Sequence, residues 1–286
     1  MSARRLAPIL FILLLPAWGA TCSDIGAVRG NYLGQELPGL QPEPFAVDVL
    51  PFGAMAGTFS PDLMEFYFNL PGSGGRAAIA GLRLIEGEWT SVEFIISHAF
   101  EPHISPSGDR MFFVIEDGAG GGQGYVSIRG ETDWGEPQIL PESVNGATHF
   151  PMYFTSTLDG TLFWTKLSSD VMLVSAPFAD GAYEPARSLG FALNAQRACS
   201  HPGVAPDGSY VLFDVEDQGQ TDIYVSFATN VGGWTPARKV SELADPRALE
   251  MAPSVSPVGD VIFFVRMADD MGIYWIDASI LDAYRP

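Results

Sequence analysis

The sequence predicts an all-β protein, a five-bladed β-propeller whose blades are four-stranded antiparallel sheets. Three observations lead to this prediction: a repeat of nearly constant length, short apolar strands joined by turns in each repeat, and an N-terminal strand that completes the last blade. The turn glycines Gly108, Gly160, Gly208 and Gly259 follow one another at 52, 48 and 51 residues. A period of this length is typical of a propeller blade. Six blades are the alternative if the chain contains one more unit that diverges from the repeat.

The clearest repeat spans residues 201–227. An inner strand ends at Pro206, Asp207-Gly208 forms a turn, and two more strands follow at residues 210–213 and 223–227. Asp-Gly between apolar alternations is a strong hairpin signal, because both residues tolerate positive φ.

The same elements are found in order along the chain. The predicted inner turns are Ser60-Pro61-Asp62, Ser105-Pro106-Ser107-Gly108, Leu158-Asp159-Gly160, Pro206-Asp207-Gly208 and Ser256-Pro257-Val258-Gly259. The predicted second strands lie at residues 65–68, 111–114, 161–165, 210–213 and 261–265, and the third strands at 78–84, 125–128, 171–175, 223–227 and 273–276. Blade three is the most divergent, since it lacks Ser-Pro before its turn.

An aromatic residue follows a glycine turn in four repeats. The series is Trp89, Trp134, Tyr183 and Trp234. Its recurrence at one point of each repeat favours rings that pack between blades. A belt of aromatic rings that binds a ligand is the alternative.

Closure of the ring is predicted from the two ends of the domain. Blade five lacks an outer strand, and the outer strands of blades two to four begin near a proline, at Pro137, Pro185 and Pro236. Residues 43–50, which contain Pro44, copy that pattern before blade one. We therefore expect residues 45–50 to pair with blade five and remove its free edge.

The N-terminus predicts export. Arg4 and Arg5 precede an apolar run at residues 6–15, and Ala17 and Gly19 are small. This pattern indicates a signal peptide at residues 1–19, then a leader at 20–42 and a single propeller domain at 43–286. The expected location is the periplasm or the exterior. A lipid anchor at Cys22, and a disulfide between Cys22 and Cys199, are alternatives.

The charge of the chain restricts its partners. Removal of residues 1–19 leaves 13 basic and 34 acidic residues, a net charge of −21. Nucleic acid and anionic membranes bind basic patches, so neither is an expected partner. No later segment is long and apolar enough to predict a membrane span.

Three sequences resemble one known family. Asp222-Ile223-Tyr224-Val225-Ser226, Gly232-Gly233-Trp234-Thr235-Pro236 and residues 272–277 are similar to the WD-repeat-like propellers of the TolB type. The resemblance covers residues 43–286 and is sharpest after residue 198. It implies a periplasmic interaction module, or the non-catalytic gate beside a serine-peptidase domain. The chain contains no Gly-x-Ser-x-Gly elbow.

Candidate binding residues cluster where the inner strands begin, at the predicted mouth of the central channel. They are Glu101, His103, His149, His201 and Glu250. Carboxylates and imidazoles around one mouth could hold a divalent metal or act as an acid and base pair on a sugar. Such residues are also ordinary in non-enzymatic repeats, so we predict no catalytic residue, no metal and no cofactor. The acidic loop at residues 214–222 lacks the spacing of a calcium loop.

The sequence thus predicts a monomeric, exported propeller that binds a protein or glycan partner at the channel mouth. The rival is a polysaccharide hydrolase or lyase with a carboxylate and histidine site there. The two can be told apart, since an enzyme should place at least two of Glu101, His201 and Glu250 around one pocket that admits a substrate.

Overall fold

The protein is a ring of five antiparallel sheets. A computed structural model describes residues 28–71, 76–118, 121–146, 150–168, 171–194, 198–268 and 271–286. The predicted signal peptide, Cys22 and His149 lie outside these residues. Within the described part of the chain, no helix is long and apolar enough to cross a membrane.

Each blade follows the predicted order, with the strands numbered along the chain. The first strand, β1 (Glu43–Pro44), belongs to blade five. Blade one contains β2 (Met55–Phe59), β3 (Glu65–Pro71), β4 (Ala77–Ile85), β5 (Glu88–Trp89) and β6 (Glu93–Ser97). Blade two contains β7 (Ala99–Ile104), β8 (Arg110–Glu116), β9 (Gly122–Ile128) and β10 (Gln138–Ile139).

The second half of the ring repeats this pattern. Blade three contains β11 (Phe150–Ser156), β12 (Leu162–Leu167), β13 (Met172–Ala176) and β16 (Arg187–Ser188), with a small hairpin of β14 (Phe178–Ala179) and β15 (Ala182–Tyr183). Blade four contains β17 (Ala198–Val204), β18 (Tyr210–Asp217), β19 (Gln220–Phe227) and β20 (Arg238–Lys239). Blade five contains β21 (Leu249–Val255), β22 (Val261–Met267), β23 (Gly272–Asp277) and β1.

Helices are few and short. In the part of the chain that the structure describes, they are α1 (Glu142–Asn145), α2 (Phe191–Asn194), and 3-10 helices at Tyr32–Gly34 and Ala278–Tyr284. The all-β class and the count of five blades are confirmed, so the alternative of six blades is wrong.

The core is divided into five apolar clusters, one at each contact between neighbouring blades. Phe213 of blade four, for example, packs with Phe163 of blade three, whereas Leu212, the preceding residue, packs with Phe264 of blade five. Alternate residues of a strand point to opposite faces, so each middle strand supplies both of its neighbouring clusters. The ring is therefore held by burial of apolar surface around its whole circumference.

The N-terminal strand closes the ring, but it is shorter and earlier than predicted. Glu43 and Pro44 pair with Trp275 and Tyr274 of β23, and the Phe45 amide donates to the Ile273 carbonyl at 2.8 Å. Ladder pairing ends there because Ala46 adopts a positive φ of 48°. Residues 46–50 form a turn instead of the predicted strand, and the Phe45 ring enters the core.

The second half of the predicted leader packs on the propeller. Tyr32 and Leu33 are each 3% exposed in the cluster between blades five and one. The Tyr32 hydroxyl donates to Asp260 at 2.7 Å, and the Asp277 amide donates to the Gly39 carbonyl at 3.1 Å. The absence of periodicity in residues 28–42 does not mean that they lie outside the core.

The aromatic series packs between blades, as the repeat predicted. Trp134 of blade two donates from Nε1 to the Tyr67 hydroxyl of blade one at 3.0 Å, and the Arg129 guanidinium lies 3.9 Å from the Trp134 ring centroid. The Trp234 ring meets Phe163 of the preceding blade edge-on at 6.2 Å. These rings are structural contacts between sheets.

The inner turns differ from the expectation in one respect. Gly208 has a φ of 73°, whereas Asp207 is not among the residues with positive φ. The Asp207 carboxylate accepts from the Ser209 amide at 2.9 Å instead. Only the glycine therefore supplies the left-handed conformation.

Candidate functional site

Each inner strand carries a bulge at the same point near the channel. The residues at these bulges have positive φ although none is glycine: Ala56 (50°), Glu101 (58°), Tyr153 (53°), His201 (50°) and Ala252 (54°). The register of each inner strand shifts at this point. A non-glycine residue in this region carries strain, which persists only where the surroundings hold it.

Polar side chains of the preceding blade hold three of these bulges. The Glu101 amide donates to Asn69 Oδ1 at 2.7 Å, the His201 amide to Thr165 Oγ1 at 2.8 Å, and the Ala252 amide to Asp214 Oδ1 at 2.9 Å. Asn69, Thr165 and Asp214 occupy equivalent positions on the second strands of their blades. The bulges are thus tied from blade to blade.

The bulge of blade three is tied in a different way. The equivalent position in blade two is Val114, opposite Phe100, and valine cannot accept a hydrogen bond. Glu101 takes over this role, since its Oε2 accepts from the Tyr153 amide at 2.6 Å. One function of Glu101 is therefore to support a backbone amide.

His201 forms a close pair with Asp214. Its Nδ1 lies 2.7 Å from Asp214 Oδ1, and both side chains are largely buried. Burial lowers the pKa of His201, but the Asp214 charge and hydrogen bond, with a smaller effect of Glu101, raise it to about 9. At neutral pH the pair is an imidazolium and a carboxylate.

Tyr153 fills the space beside this pair. Its ring meets the His201 ring edge-on at 5.1 Å, and its hydroxyl donates to the Ala252 carbonyl of blade five at 2.6 Å. A cavity between the inner strands, bounded in part by Glu101, Tyr153 and Pro253, has a volume of about 10 Å³. That is room for about one water molecule.

The environment of Glu101 makes its carboxyl group a weaker acid than a glutamate in water. Burial raises its pKa to about 7, opposed by the His201 charge and by the Tyr153 amide, while the Asp214 charge acts in the same direction as burial. Glu101, His201 and Asp214 thus interact electrostatically around the channel. The first two were identified from the sequence as candidate binding residues.

His103 contributes its ring to the contact between blades two and three. Its Nε2 lies 2.9 Å from Ser156 Oγ, and the ring stacks on Phe112 at 6.3 Å. Burial lowers the pKa of His103 to about 3, so the ring is neutral at physiological pH.

Glu250 is used at the contact between blades four and five. The side chain is fully buried, and its Oε1 accepts from Arg266 Nε at 3.0 Å. Oε1 also accepts from the Asp245 amide at 3.3 Å, whereas Oε2 has no hydrogen-bond partner among the described residues. Burial raises the pKa of Glu250 and Arg266 opposes this. The structure thus brings Glu101 and His201 together and directs Glu250 to a different partner.

Tyr153 and Asp214 were not recognised as site residues from the sequence. For Asp214 a signal is present, because a carboxylate interrupts the apolar run of residues 210–215. Asn69 and Thr165 interrupt their own apolar strands in the same way. Within the acidic loop, Asp222 forms an ion pair with Lys239 at 2.7 Å. No group of three or more His, Cys, Asp or Glu arranged to hold a metal ion occurs in the described ranges.

Comparison with known proteins bears on the fold. No protein-family model matches the chain, and no curated protein matches its sequence. A solved structure described as a putative TolB from Agrobacterium tumefaciens superposes with a TM-score of 0.55 and 17% identity, over 80% of this chain and 78% of that one. TolB from Acinetobacter baumannii gives a TM-score of 0.52 and 18% identity, over 79% of this chain and 55% of that one.

The chain shares the β-propeller fold of these two TolB structures. The likeness to TolB was inferred from the motifs of blades four and five, and the superposition confirms it at the level of the fold. This chain spans about half the length of the Acinetobacter TolB. At these identities the TolB-type fold is shared, while activity and partners have to be argued from the site.

Proposed function

We propose that the chain is an exported, monomeric, non-catalytic binding module. Its partner, a protein or a glycan, docks on the mouth face, which we define as the end of the propeller where the five inner strands begin. The observation that carries this proposal is the tight packing of the described inner strands around Tyr153. Tyr153 bridges from blade three to the Ala252 carbonyl of blade five, and the cavity beside it, of about 10 Å³, is far smaller than a sugar ring.

The polar residues of the channel support the same proposal. Glu101 and His201 each hold a partner inside the protein. A general acid or base has to reach the substrate proton within hydrogen-bond distance. Since the cavity beside them is small and both are engaged within the protein, these two side chains are better suited to fixing the inner strands. A partner would then contact the loops of the mouth face rather than enter the channel.

The mouth face offers exposed apolar side chains for such a contact. The loop that leads into β2 carries Val47, which is 66% exposed, and Phe52, which is 71% exposed. Exposed aromatic residues are enriched where proteins bind one another. The net charge of −19 for the whole chain favours a partner with a basic surface and disfavours nucleic acid. The signal-peptide pattern of the N-terminal sequence supports an encounter in the periplasm or outside the cell.

Site-specific photocrosslinking tests the proposal. A photoreactive amino acid replaces Phe52 on the mouth face, and in a matched control it replaces Val231, which is 95% exposed in a turn at the opposite end. In cells that express the protein at its natural level, crosslinked species should form from position 52 and not from position 231. Gel retardation in soluble polysaccharides tests the glycan alternative. Equal crosslinking from both positions, with no retardation, would contradict mouth-face binding.

The rival activity, cleavage of a polysaccharide, has one observation in its favour. A carboxyl group with a pKa of about 7, as in Glu101, is suited to a general acid. Reducing-sugar release from polysaccharides, lost in Glu101→Gln, would establish this activity and overturn the non-catalytic proposal.

A further inference from the structure

The outer edge of blade one differs from the other four. The outer strands β1, β10, β16 and β20 are two residues long, and a proline lies in or shortly before each: Pro44, Pro137, Pro185 and Pro236. In blade one the outer strand β6 is five residues long and has no proline or lysine within or just before it. Short strands, proline and lysine are the usual protection of sheet edges against pairing with another chain. The edge of blade one has none of these three features.

The strand β6 is anchored on one side and open on the other. A register shift in its pairing with β4 lies at Ile95, and Ile95 and Ile96 both pack against the cluster between blades one and two. Phe94 is 63% exposed. Among the described residues, β6 pairs with β4 alone, so the backbone groups of its other edge have no strand partner there. This edge is a fixed template for one more strand.

The charges near this edge favour a basic occupant. Three exposed carboxylates line this side of the blade: Glu93 on β6, Glu88 on the short strand β5 and Glu86 on the turn before β5. Glu88 pairs with Arg29, while no ion pair of Glu86 or Glu93 is found within the described part of the chain. A peptide with lysine or arginine at alternate positions would meet these carboxylates and place its apolar residues on Phe94.

A second copy of the chain is a poor occupant. Five residues of strand are about 17 Å long, and with a width of about 10 Å the patch covers less than about 200 Å². A stable protein interface needs about 800 Å² on each partner. Two chains of net charge −19 also repel one another. Main-chain hydrogen bonds along one strand, in contrast, are the usual basis for capture of an extended peptide.

We propose that β6 is a docking edge for an extended segment of a partner protein in which basic and apolar residues alternate. The segment adds a further strand to blade one. This surface lies on the rim of the propeller and is separate from the mouth face, so the two proposals can fail independently.

The test uses the full-length mature protein and a nine-residue peptide of alternating lysine and valine, blocked at both ends. We expect the peptide to shift backbone amide resonances of residues 92–98 and to leave residues 229–233 unchanged. The matched variants are Phe94→Lys and Ile139→Lys, the latter at a 56% exposed position on β10. Phe94→Lys should weaken binding about tenfold or more, whereas Ile139→Lys should bind like the parent protein. Thermal melting verifies that both variants fold.

A second measurement needs no protein variant. The same peptide with N-methyl groups on alternate residues keeps its charge but cannot form the main-chain ladder on one side, so its binding should be lost. Equal binding of the methylated peptide, or resonance shifts outside blade one, would overturn the proposal. Reversible dimerisation of the protein that is abolished by Phe94→Lys would assign the edge to a second copy and would also overturn it.

Discussion

The pair of His201 and Asp214 should make the protein lose stability as the pH rises from 7 to 9.5. The pKa of His201 is 6.5 in an unfolded chain and about 9 in the folded protein. A group whose pKa is raised by folding stabilises the protein fully below its unfolded pKa, and this stabilisation is lost as the pH passes the folded pKa. The difference corresponds to about 3 kcal/mol of unfolding free energy.

The effect of this pair on stability falls in a different pH range from the effects of Glu101 and His103. The pKa of Glu101 is raised to about 7, so its contribution to stability is lost as the pH rises from 4.5 to 7. The pKa of His103 is lowered to about 3. Its effect has the opposite sign, because stability is lost as the pH falls below 6.5. Neither group contributes much change above pH 7. Loss of stability between pH 7 and 9.5 can therefore be assigned to His201 by comparing variants.

The assay is urea unfolding at pH 7.0, 8.0 and 9.5 for the parent protein, Asp214→Asn and Asp282→Asn. The amide side chain introduced by Asp214→Asn can still accept from the Ala252 amide but carries no charge, so His201 is no longer held protonated. The Asp282→Asn control changes an exposed side chain, and it and the parent should both lose about 2 kcal/mol more than Asp214→Asn over this range, since part of the full effect is already lost by pH 7. Parallel pH profiles for the parent and Asp214→Asn would refute the reasoning. Titration of the His201 ring by NMR provides a direct measurement of the same pKa.

Three further changes test the ring. Trp134→Ala removes a ring packed on Tyr67 and Arg129 and should cost about 3 to 5 kcal/mol in chemical unfolding; unchanged stability would argue that the ring serves binding. Deletion through Gly39 removes the buried Tyr32 and Leu33 and should lower stability by about 4 kcal/mol or more, whereas Leu37→Ala and Leu40→Ala at exposed positions should not. Tyr153→Phe leaves the Ala252 carbonyl without its donor and should cost about 1 to 3 kcal/mol; a melting temperature equal to that of the parent would show that the bridge adds nothing.

The repeats made the fold predictable, because each blade uses local signals that recur. Each repeat contains the same three signals: a turn glycine, an apolar strand on each side of it and an aromatic ring after the third strand. The closing strand was less predictable in detail. Pro44 marked the right place, but the positive φ of Ala46 ends the pairing, and its amide is held by the Gln35 side chain at 2.7 Å. This contact joins residue 35 of the predicted leader to residue 46 of the predicted propeller domain, and no pattern in the sequence predicts it.

The site was predictable in its residue types and not in their geometry. Glu101 and His103 are two positions apart, but Glu101 lies in the bulge and His103 lies after it, where regular pairing resumes. Glu101 therefore reaches the Tyr153 amide while His103 packs on Phe112. Likewise Glu250 and Ala252 lie on one strand, and only the second is at the bulge. Spacing along a strand fixes the face of a side chain only where the register is regular.

The bulges give a physical reason for polar residues at the centre of a closed propeller. Each bulge turns a backbone amide out of its own sheet ladder, and a buried amide without an acceptor costs about 1 to 3 kcal/mol. Asn69, Thr165, Asp214 and Glu101 supply acceptors for four of these amides. Only Asp214 does so with a charge that is balanced by an imidazolium. Acids and histidines at the channel of such a protein therefore have a structural role that precedes any catalytic one, and loss of activity in a variant has to be separated from loss of the ring before it identifies an active site.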